Sequence, residues 1–253
     1  MKSRAHELID PIASVGSSRY ALIDHYDRYN RHRIFVNIAR EYASVLELGC
    51  SNGFLSRLIA SEQTRVVGIE IDADAAREAR RHCSGVYGLD LNHAHWSDAV
   101  VERFDLAAFG DVLEHLLDPA KALREARRVL NPGGRVLICL PNVAHWTVRL
   151  KLLAGRFDYQ SIGIMDHTHL RFFTLPSARR LVAAAGYQVL AFRPVIGGRF
   201  TGRGRAVWDG LARVLPGLFA YQMIFVVQPQ DVDPDAGQPS NRRASFSAAE
   251  PPQ

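Results

Sequence analysis

The amino-acid sequence predicts an α/β protein in which a parallel sheet carries helices on both faces. Short apolar runs alternate with helical patterns from residue 44 to residue 140, and this alternation is typical of a parallel sheet. A turn containing two glycines follows the first apolar run, as it does where a strand leads into a helix. The 253 residues suit one such domain with additions.

The predicted elements follow from periodicity and from turn residues. Strands are expected near 44–48, 65–70, 85–88, 104–109 and 134–140, and helices near 53–61, 73–82 and 118–130. The last of these helices has clear limits, because Asp118 is a good N-cap, Pro119 suits the first turn and Asn131-Pro132-Gly133-Gly134 should end it.

The pattern changes after residue 141. A helix is expected over 143–154, a loop over 155–172, and a second helix from Pro176 to Ala185, closed by Gly186. Two further apolar strands are expected from Tyr187 to Ile196 and from Tyr221 to Val227.

Three regions are expected along the chain. Residues 1–42 are expected to form a lead-in and a helix, which either covers the site as a lid or presents a solvated amphipathic face. Residues 43–228 form the main domain, with a small cap inserted at about 143–175. Residues 229–253 have almost no large apolar side chain, so they are expected to be a disordered tail.

Composition excludes several classes of protein. The net charge of +5 is mild and does not by itself indicate a nucleic-acid partner. Cys50, Cys83 and Cys139 have neither disulfide-framework nor zinc-site spacing, which favours a reducing, cytoplasmic setting. The first residues lead into no apolar signal core, and the longest apolar stretch is too short to span a bilayer.

The turn after the first strand indicates a pocket for a nucleoside. Gly49 and Gly53 allow backbone conformations that side chains block. The dinucleotide fingerprint G-x-G-x-x-G would need glycine at the positions of Ser51 and Phe54. An NAD enzyme is therefore disfavoured.

This turn resembles motif I of the class I S-adenosylmethionine (SAM) methyltransferases, E/D-x-G-x-G-x-G. Glu47, Gly49 and Gly53 match, while Ser51 replaces the middle glycine. Residues 104–116 and 131–141 resemble the family's later motifs, in the same order. The resemblance covers roughly residues 40–190. It implies a Rossmann-like seven-stranded sheet with helices on both faces, ending in an antiparallel strand pair, with an N-terminal helix and a small substrate cap.

The resemblance implies SAM as cofactor and S-adenosylhomocysteine as product. Glu70 would bind the ribose diol, since a carboxylate accepts two hydroxyl hydrogen bonds, and Ile71 would pack on adenine. Asp90 would accept from the adenine amino group, and the helix after Gly53 would face the methionine carboxylate. The full cofactor set is Glu47, Gly49, Cys50, Ser51, Gly53, Phe54, Glu70, Ile71, Asp90, Leu91 and Asp111.

The acceptor side is predicted from segments after the fourth and fifth strands. His169 and then His145 are the candidate general bases, and Asp166 and Arg171 are expected to orient the His169 ring. The expected substrate-binding residues are His115, Asn142, Trp146, Asp166 and Arg171. A hydrogen-bonded loop lock is the alternative interpretation of residues 166–174. No metal is expected, because His167, His169 and Asp166 lack standard ligand spacing.

The function that follows is SN2 transfer of a methyl group to a small-molecule or glycan acceptor, with a hydroxyl favoured. The alternative is a SAM-binding partner subunit without turnover, as in the MetW-like proteins that this chain also resembles. A nucleic-acid methyltransferase is disfavoured, because Gly110-Asp111-Val112-Leu113 stands where a D/N-P-P-Y tetrad is expected. Residues 193–213 form a basic-aromatic patch that suits a solvated face, a membrane surface or a lipid-linked substrate. The sequence leaves the oligomeric state open.

Overall fold

The computed structural model describes residues 31–197 and 204–230. Within these residues, seven strands form one mixed sheet: β1 Ser44–Leu48, β2 Arg65–Ile69, β3 Gly85–Tyr87, β4 Phe104–Gly110, β5 Leu130–Pro141, β6 Tyr187–Val195 and β7 Gln222–Pro229. Their order across the sheet is β3-β2-β1-β4-β5-β7-β6. β1 to β5 are parallel, and β7 runs antiparallel between β5 and β6. The predicted fold class is therefore confirmed.

Helices cover both faces of the sheet. Successive side chains of β4 enter opposite cores: Ala107 packs in one buried cluster and Ala108 in the other. Buried residues of α4 and α6 complete the first core, and those of α1 and α2 complete the second. The helices are α1 Arg31–Ala39, α2 Phe54–Ile59, α3 Ala73–Ala79, α4 Pro119–Arg128, α5 Trp146–Leu153, α6 Leu175–Ala184, α7 Gly204–Val214 and α8 Pro216–Phe219.

Helix ends follow the local sequence signals. Asp118 accepts a hydrogen bond from the Lys121 N–H, and Pro119 occupies the first turn of α4, as predicted. Thr174 and Ser177 form a capping box at the start of α6. Gly186 ends α6 with a φ of 82°, the left-handed conformation that glycine adopts freely.

The structure corrects the sequence-based elements in two places. Asn131 to Gly134, expected as a loop that separates helix and strand, lie within β5, where the pairing with β4 shifts register. Part of the predicted basic-aromatic patch forms α7, in which Arg205 is buried rather than solvated. Arg213 in the same helix pairs with Asp209. The predicted tail beyond residue 230 and the lead-in before residue 31 lie outside the described residues.

α1 belongs to the core of the domain. Phe35, Val36 and Ala39 are buried against the sheet, so the folded unit includes residues before position 43. Within the described parts of the chain, none of the helices is long and apolar enough to cross a bilayer.

Candidate active site

The carboxyl end of β1 leads into a tightly turned loop, Gly49 to Gly53. Gly49, Ser51 and Gly53 have φ values of 69°, 49° and 80°. A Cβ on Gly49 would lie 2.8 Å from Val112 Cγ2, and one on Gly53 would lie 2.9 Å from Ala79 Cα. Glycine is therefore required at both positions by conformation and by close packing.

Glu70 holds this loop from the neighbouring strand end. Its Oε2 accepts from the Ser51 N–H at 2.8 Å, and its Oε1 accepts from the Asp72 N–H at 2.9 Å. The carboxylate is thus fixed in orientation at the sheet edge, and each oxygen keeps a lone pair for a further donor.

Apolar and polar groups suited to a nucleoside lie beside Glu70. The side chain of Ile71 is 66% exposed, which is unusual for isoleucine and provides an apolar surface for a flat ring. Asp90 is exposed and accepts from the Asn92 N–H at 2.8 Å, while Leu91 is buried beneath it. A ribose diol could use the acceptors of Glu70, and a flat base could pack on Ile71.

A buried polar cluster lies under the loop. Glu47 is 3% exposed and accepts a short hydrogen bond from the Ser56 hydroxyl at the start of α2. Burial raises the pKa of Glu47 to about 8, so this side chain is mainly a neutral acid at pH 7. Glu47 therefore joins the end of β1 to α2, the two elements on either side of the loop. Phe54 at the first position of α2 packs edge-on against His32, with the ring centroids 5.4 Å apart.

Asp111 follows β4 in a left-handed conformation, with a φ of 59°. Its carboxylate forms an ion pair with Arg31 at 3.2 Å and accepts from Gln222 Nε2 at 2.8 Å. Residues from α1 and β7 thus meet at the carboxyl end of β4, where open α/β sheets bind ligands.

The loop after β4 is tied to the loop 166–171. The Glu114 carbonyl oxygen accepts from the N–H groups of Leu170 and Arg171 at 2.9 and 3.0 Å. His115 Nδ1 lies 3.1 Å from the Thr168 carbonyl oxygen, and the His115 and His169 rings pack edge-on with centroids 4.9 Å apart. The two segments predicted to line the acceptor side are therefore in direct contact.

Glu114 was not assigned a role from the sequence. Its side chain is 1% exposed, and Oε2 is buried without a hydrogen-bond partner. Burial, and then the negative charge of Asp111, raise its pKa well above the usual range. Ligand atoms of Glu114, His115 and His169 all lie within 4.8 Å of one another. This cluster could not be predicted from the sequence, because His169 is far along the chain from Glu114 and His115.

His169 has a free basic nitrogen. Its Nδ1 lies 3.1 Å from the Ile164 carbonyl oxygen, and because a carbonyl can only accept, Nδ1 carries the proton and Nε2 is left as the acceptor. Burial, and then the nearby His115, lower the pKa of His169. The ring is half-buried and neutral at pH 7.

The expected orienting residues do not hold the His169 ring. Asp166 Oδ1 accepts from the Thr168 N–H and hydroxyl at 2.9 and 2.7 Å. Arg171 Nη2 donates to the Leu117 carbonyl at 2.7 Å. The prediction that Asp166 and Arg171 orient the ring is therefore wrong: these residues lock the loop, and a backbone carbonyl orients the ring.

His145 is a helix cap. Its Nδ1 accepts from the Thr147 N–H at 3.4 Å and lies 2.8 Å from the Thr147 hydroxyl. The remaining ring nitrogen then carries the proton. Burial lowers the pKa of His145 to about 4, and its ring packs against Tyr221 with centroids 5.5 Å apart. The geometry favours His169 over His145 as the base.

The two other residues predicted after β5 differ in their surroundings. Asn142 is fully buried, donating to the Ala220 carbonyl at 2.8 Å and accepting from the Ala144 N–H at 3.1 Å. It holds backbone rather than facing an acceptor. Trp146 is half-buried and stacks on Trp208 of α7, with ring centroids 5.7 Å apart.

Comparison with known proteins agrees with this geometry. Residues 21–191 match the family described as "Methyltransferase domain". A ubiquinone biosynthesis O-methyltransferase of Aeromonas salmonicida is 27% identical over 150 residues, which are 57% of this chain and 63% of that protein. One from Serratia proteamaculans is 28% identical over 134 residues, which are 51% and 55%. The chain thus spans less than two thirds of the length of these relatives.

Solved structures share the fold. A SAM-dependent methyltransferase from Archaeoglobus fulgidus superposes with a TM-score of 0.55 at 14% identity, covering 78% of this chain and 90% of that one. The Burkholderia thailandensis 1,6-didemethyltoxoflavin-N1-methyltransferase, solved with bound S-adenosylhomocysteine, gives 0.52 at 18% identity, covering 82% of each chain. The match over residues 21–191 shows that the chain belongs to the methyltransferase domain family, and these solved SAM-dependent methyltransferases show that it has the same fold as they have.

Proposed function

We propose that the protein methylates a hydroxyl group of a small-molecule or glycan acceptor, with His169 as general base. The observation that carries the proposal is the unprotonated Nε2 of His169, in a half-buried ring beside the loop that follows β4. A neutral histidine is the usual side chain that removes a proton from a reacting group near pH 7.

The cofactor is proposed to lie across the ends of β1, β2 and β4. Glu70 binds the ribose hydroxyls, Ile71 packs on the adenine, and Asp90 accepts from the adenine amino group. The Gly49–Gly53 loop lies against the methionine part. SAM supplies an electrophilic methyl group on a sulfonium, so alignment of the acceptor accounts for much of the rate, up to about 7–11 kcal/mol of the barrier.

His169 then acts on the acceptor hydroxyl. Nε2 takes the hydroxyl proton as the oxygen attacks, and the resulting imidazolium keeps its Nδ1–H on the Ile164 carbonyl. A positioned base of this kind is worth roughly 10²–10⁴-fold in rate. No metal is required by this mechanism, because the proton acceptor is a side chain.

Aromatic side chains beside His169 support an acceptor that contains a ring. Phe172 packs edge-on to His169, with centroids 6.1 Å apart. Phe157 packs on Phe172, and both Phe157 and Tyr159 are about half-exposed. Such rings present flat apolar faces to a sugar or a phenol. The Aeromonas and Serratia relatives are ubiquinone biosynthesis O-methyltransferases, which supports an oxygen acceptor.

The proposed partners follow from the exposed surface. α7 and the residue after it expose Val207, Val214 and Leu215, together with Arg213, whose side chain is 72% exposed and pairs with Asp209. This mixture suits a lipid-linked acceptor or a peripheral membrane contact at the cytoplasmic face. No nucleic-acid partner is proposed, and the oligomeric state is left to measurement.

Transfer of an isotopically labelled methyl group from SAM tests the proposal. The protein is incubated with pools of hydroxylated metabolites and glycans, and labelled products are identified by mass and NMR. The expected product carries the methyl group on oxygen. Methyl transfer to nitrogen or carbon would contradict the hydroxyl assignment. SAM binding without transfer to any pool would favour the MetW-like partner function instead.

A further inference from the structure

Two cysteines from different elements meet beneath the glycine loop. Cys50 follows Gly49 in the loop, and Cys83 follows α3. A Cβ on Gly68 of β2 would lie 2.5 Å from the Cys50 sulfur and 3.5 Å from the Cys83 sulfur. The two sulfurs therefore converge over a strand position that has no side chain, and the Cys50 thiol donates to the Ser51 carbonyl oxygen at 3.8 Å.

The two thiols differ in chemistry. Cys50 is 3% exposed, and the nearby Cys83 thiol, together with burial, raises the pKa of the Cys50 thiol. The nearby Cys50 thiol, the largest effect, and the nearby Ser56 hydroxyl lower the pKa of the half-buried Cys83 thiol. Cys83 is thus the more accessible and more readily ionised of the two thiols, and Cys50 is its protonated neighbour.

We propose that Cys83 is an oxidation site for hydroperoxides and that Cys50 resolves it, forming a Cys50–Cys83 disulfide under the cofactor loop. The Cys83 thiolate attacks hydrogen peroxide, the O–O bond breaks, and a sulfenic acid and hydroxide form. The Cys50 sulfur then attacks the Cys83 sulfur. The S–S bond forms, the S–O bond breaks, and the departing hydroxide takes the Cys50 proton as water. Both thiols are oxidised, and the peroxide is reduced to two waters.

The disulfide alters the loop that is proposed to bind SAM, so this consequence rests on the proposed function. A disulfide brings the two sulfurs to about 2.05 Å, which displaces Cys50 between two residues of positive φ, Gly49 and Ser51. The Ser51 N–H is bonded to Glu70, so the shift is transmitted to the proposed ribose-binding carboxylate. Oxidation therefore lowers the affinity for SAM.

The full chain is purified reduced, treated with hydrogen peroxide and alkylated, and its disulfides are mapped by peptide mass spectrometry. SAM affinity is measured by calorimetry before oxidation, after oxidation and after dithiothreitol. We expect a Cys50–Cys83 link with Cys139 unlinked, SAM binding weakened by about tenfold or more, as for loss of one hydrogen bond to a charged group, and full recovery on reduction. Cys83→Ser should bind SAM as the reduced wild type does and should not respond to peroxide. Cys139→Ala, which alters a buried cysteine of β5, should remain sensitive.

Two results would overturn the inference. The first is that peroxide produces no Cys50–Cys83 disulfide in the wild-type protein. This result can be obtained without any variant. The other is a linked protein whose SAM affinity equals that of the reduced form. Failure of the reduced wild type to bind SAM would be a different result, because it contradicts the proposed cofactor site even where the disulfide forms.

Discussion

The carboxylate of Glu70 accepts the backbone N–H of Ser51 at 2.8 Å, so the end of β2 is joined to the glycine loop after β1. This contact fixes the carboxylate where the proposed ribose hydroxyls need two acceptors. Ser51, which stands in place of the middle glycine of the motif, keeps a left-handed conformation with a φ of 49°.

Glu70→Ala should weaken SAM binding by about 1.5–3 kcal/mol, the usual contribution of hydrogen bonds to a charged group. Calorimetry with SAM and S-adenosylhomocysteine measures the change. Glu78→Ala, at an exposed position of α3, is the matched control and should bind both ligands normally. Unchanged affinity in Glu70→Ala would show that the ribose binds elsewhere.

Glu47→Gln should increase stability at neutral pH and should remove one source of pH dependence. The folded-state pKa of about 8 exceeds the unfolded value of 4.5. The folded protein therefore binds the extra proton, and wild-type stability should fall as pH rises from 4.5 through 8. The difference at pH 7 should be on the order of 3 kcal/mol. Urea unfolding of both proteins at pH 5 and pH 8 measures it. Parallel stability curves would contradict the neutral state of Glu47.

His145→Ala should cost about 0.5–2 kcal/mol of stability through loss of a helix cap, while SAM affinity stays unchanged. The folded pKa of about 4 lies below the unfolded value of 6.5. The unfolded chain therefore binds the proton first, and the stability associated with neutral His145 is lost as pH falls from 6.5 to 4. Thermal unfolding across this range measures the effect. A large fall in kcat with normal stability would instead identify His145 as the base.

Chelation should leave activity intact. In the proposed mechanism His169, which lies in a cluster with Glu114 and His115, accepts a proton and does not bind a metal. Metal analysis of the purified protein, followed by turnover with and without EDTA, tests this. A stoichiometric bound cation that Glu114→Gln removes, with activity restored by adding the metal back, would contradict it and would assign the cluster as a metal site.

Local signals in the sequence predicted most of the fold. The run Ser44–Leu48 is apolar and lies next to two glycines, so both its type and its limits could be predicted, and the structure has the same bounds. α7 was missed because arginines interrupt its apolar spacing. Burial of Arg205 and stacking of Trp208 on Trp146 depend on tertiary contacts that periodicity does not encode.

The candidate site was predictable where one segment carries it. The Gly49–Gly53 loop and Glu70 follow from a motif, since strand ends of a parallel sheet meet at one edge. The Glu114 cluster is different, because His169 reaches it through backbone hydrogen bonds from Leu170 and Arg171 to the Glu114 carbonyl. The separate roles of His145 and His169 depend on which ring nitrogen faces a donor or a carbonyl, which only the three-dimensional structure provides.

The role proposed for His169 as the base that removes the acceptor proton is tested most directly by kcat at saturating SAM for His169→Asn and for His167→Asn. His167 lies two residues away and is exposed, so it is the matched control. We expect a loss of about 10²–10⁴-fold for His169→Asn, with SAM affinity unchanged, and near-normal turnover for His167→Asn. Because the pKa of His169 is lowered, wild-type kcat should decline only below the usual histidine range of about 6.5. Near-normal turnover by His169→Asn would show that His169 is not the base.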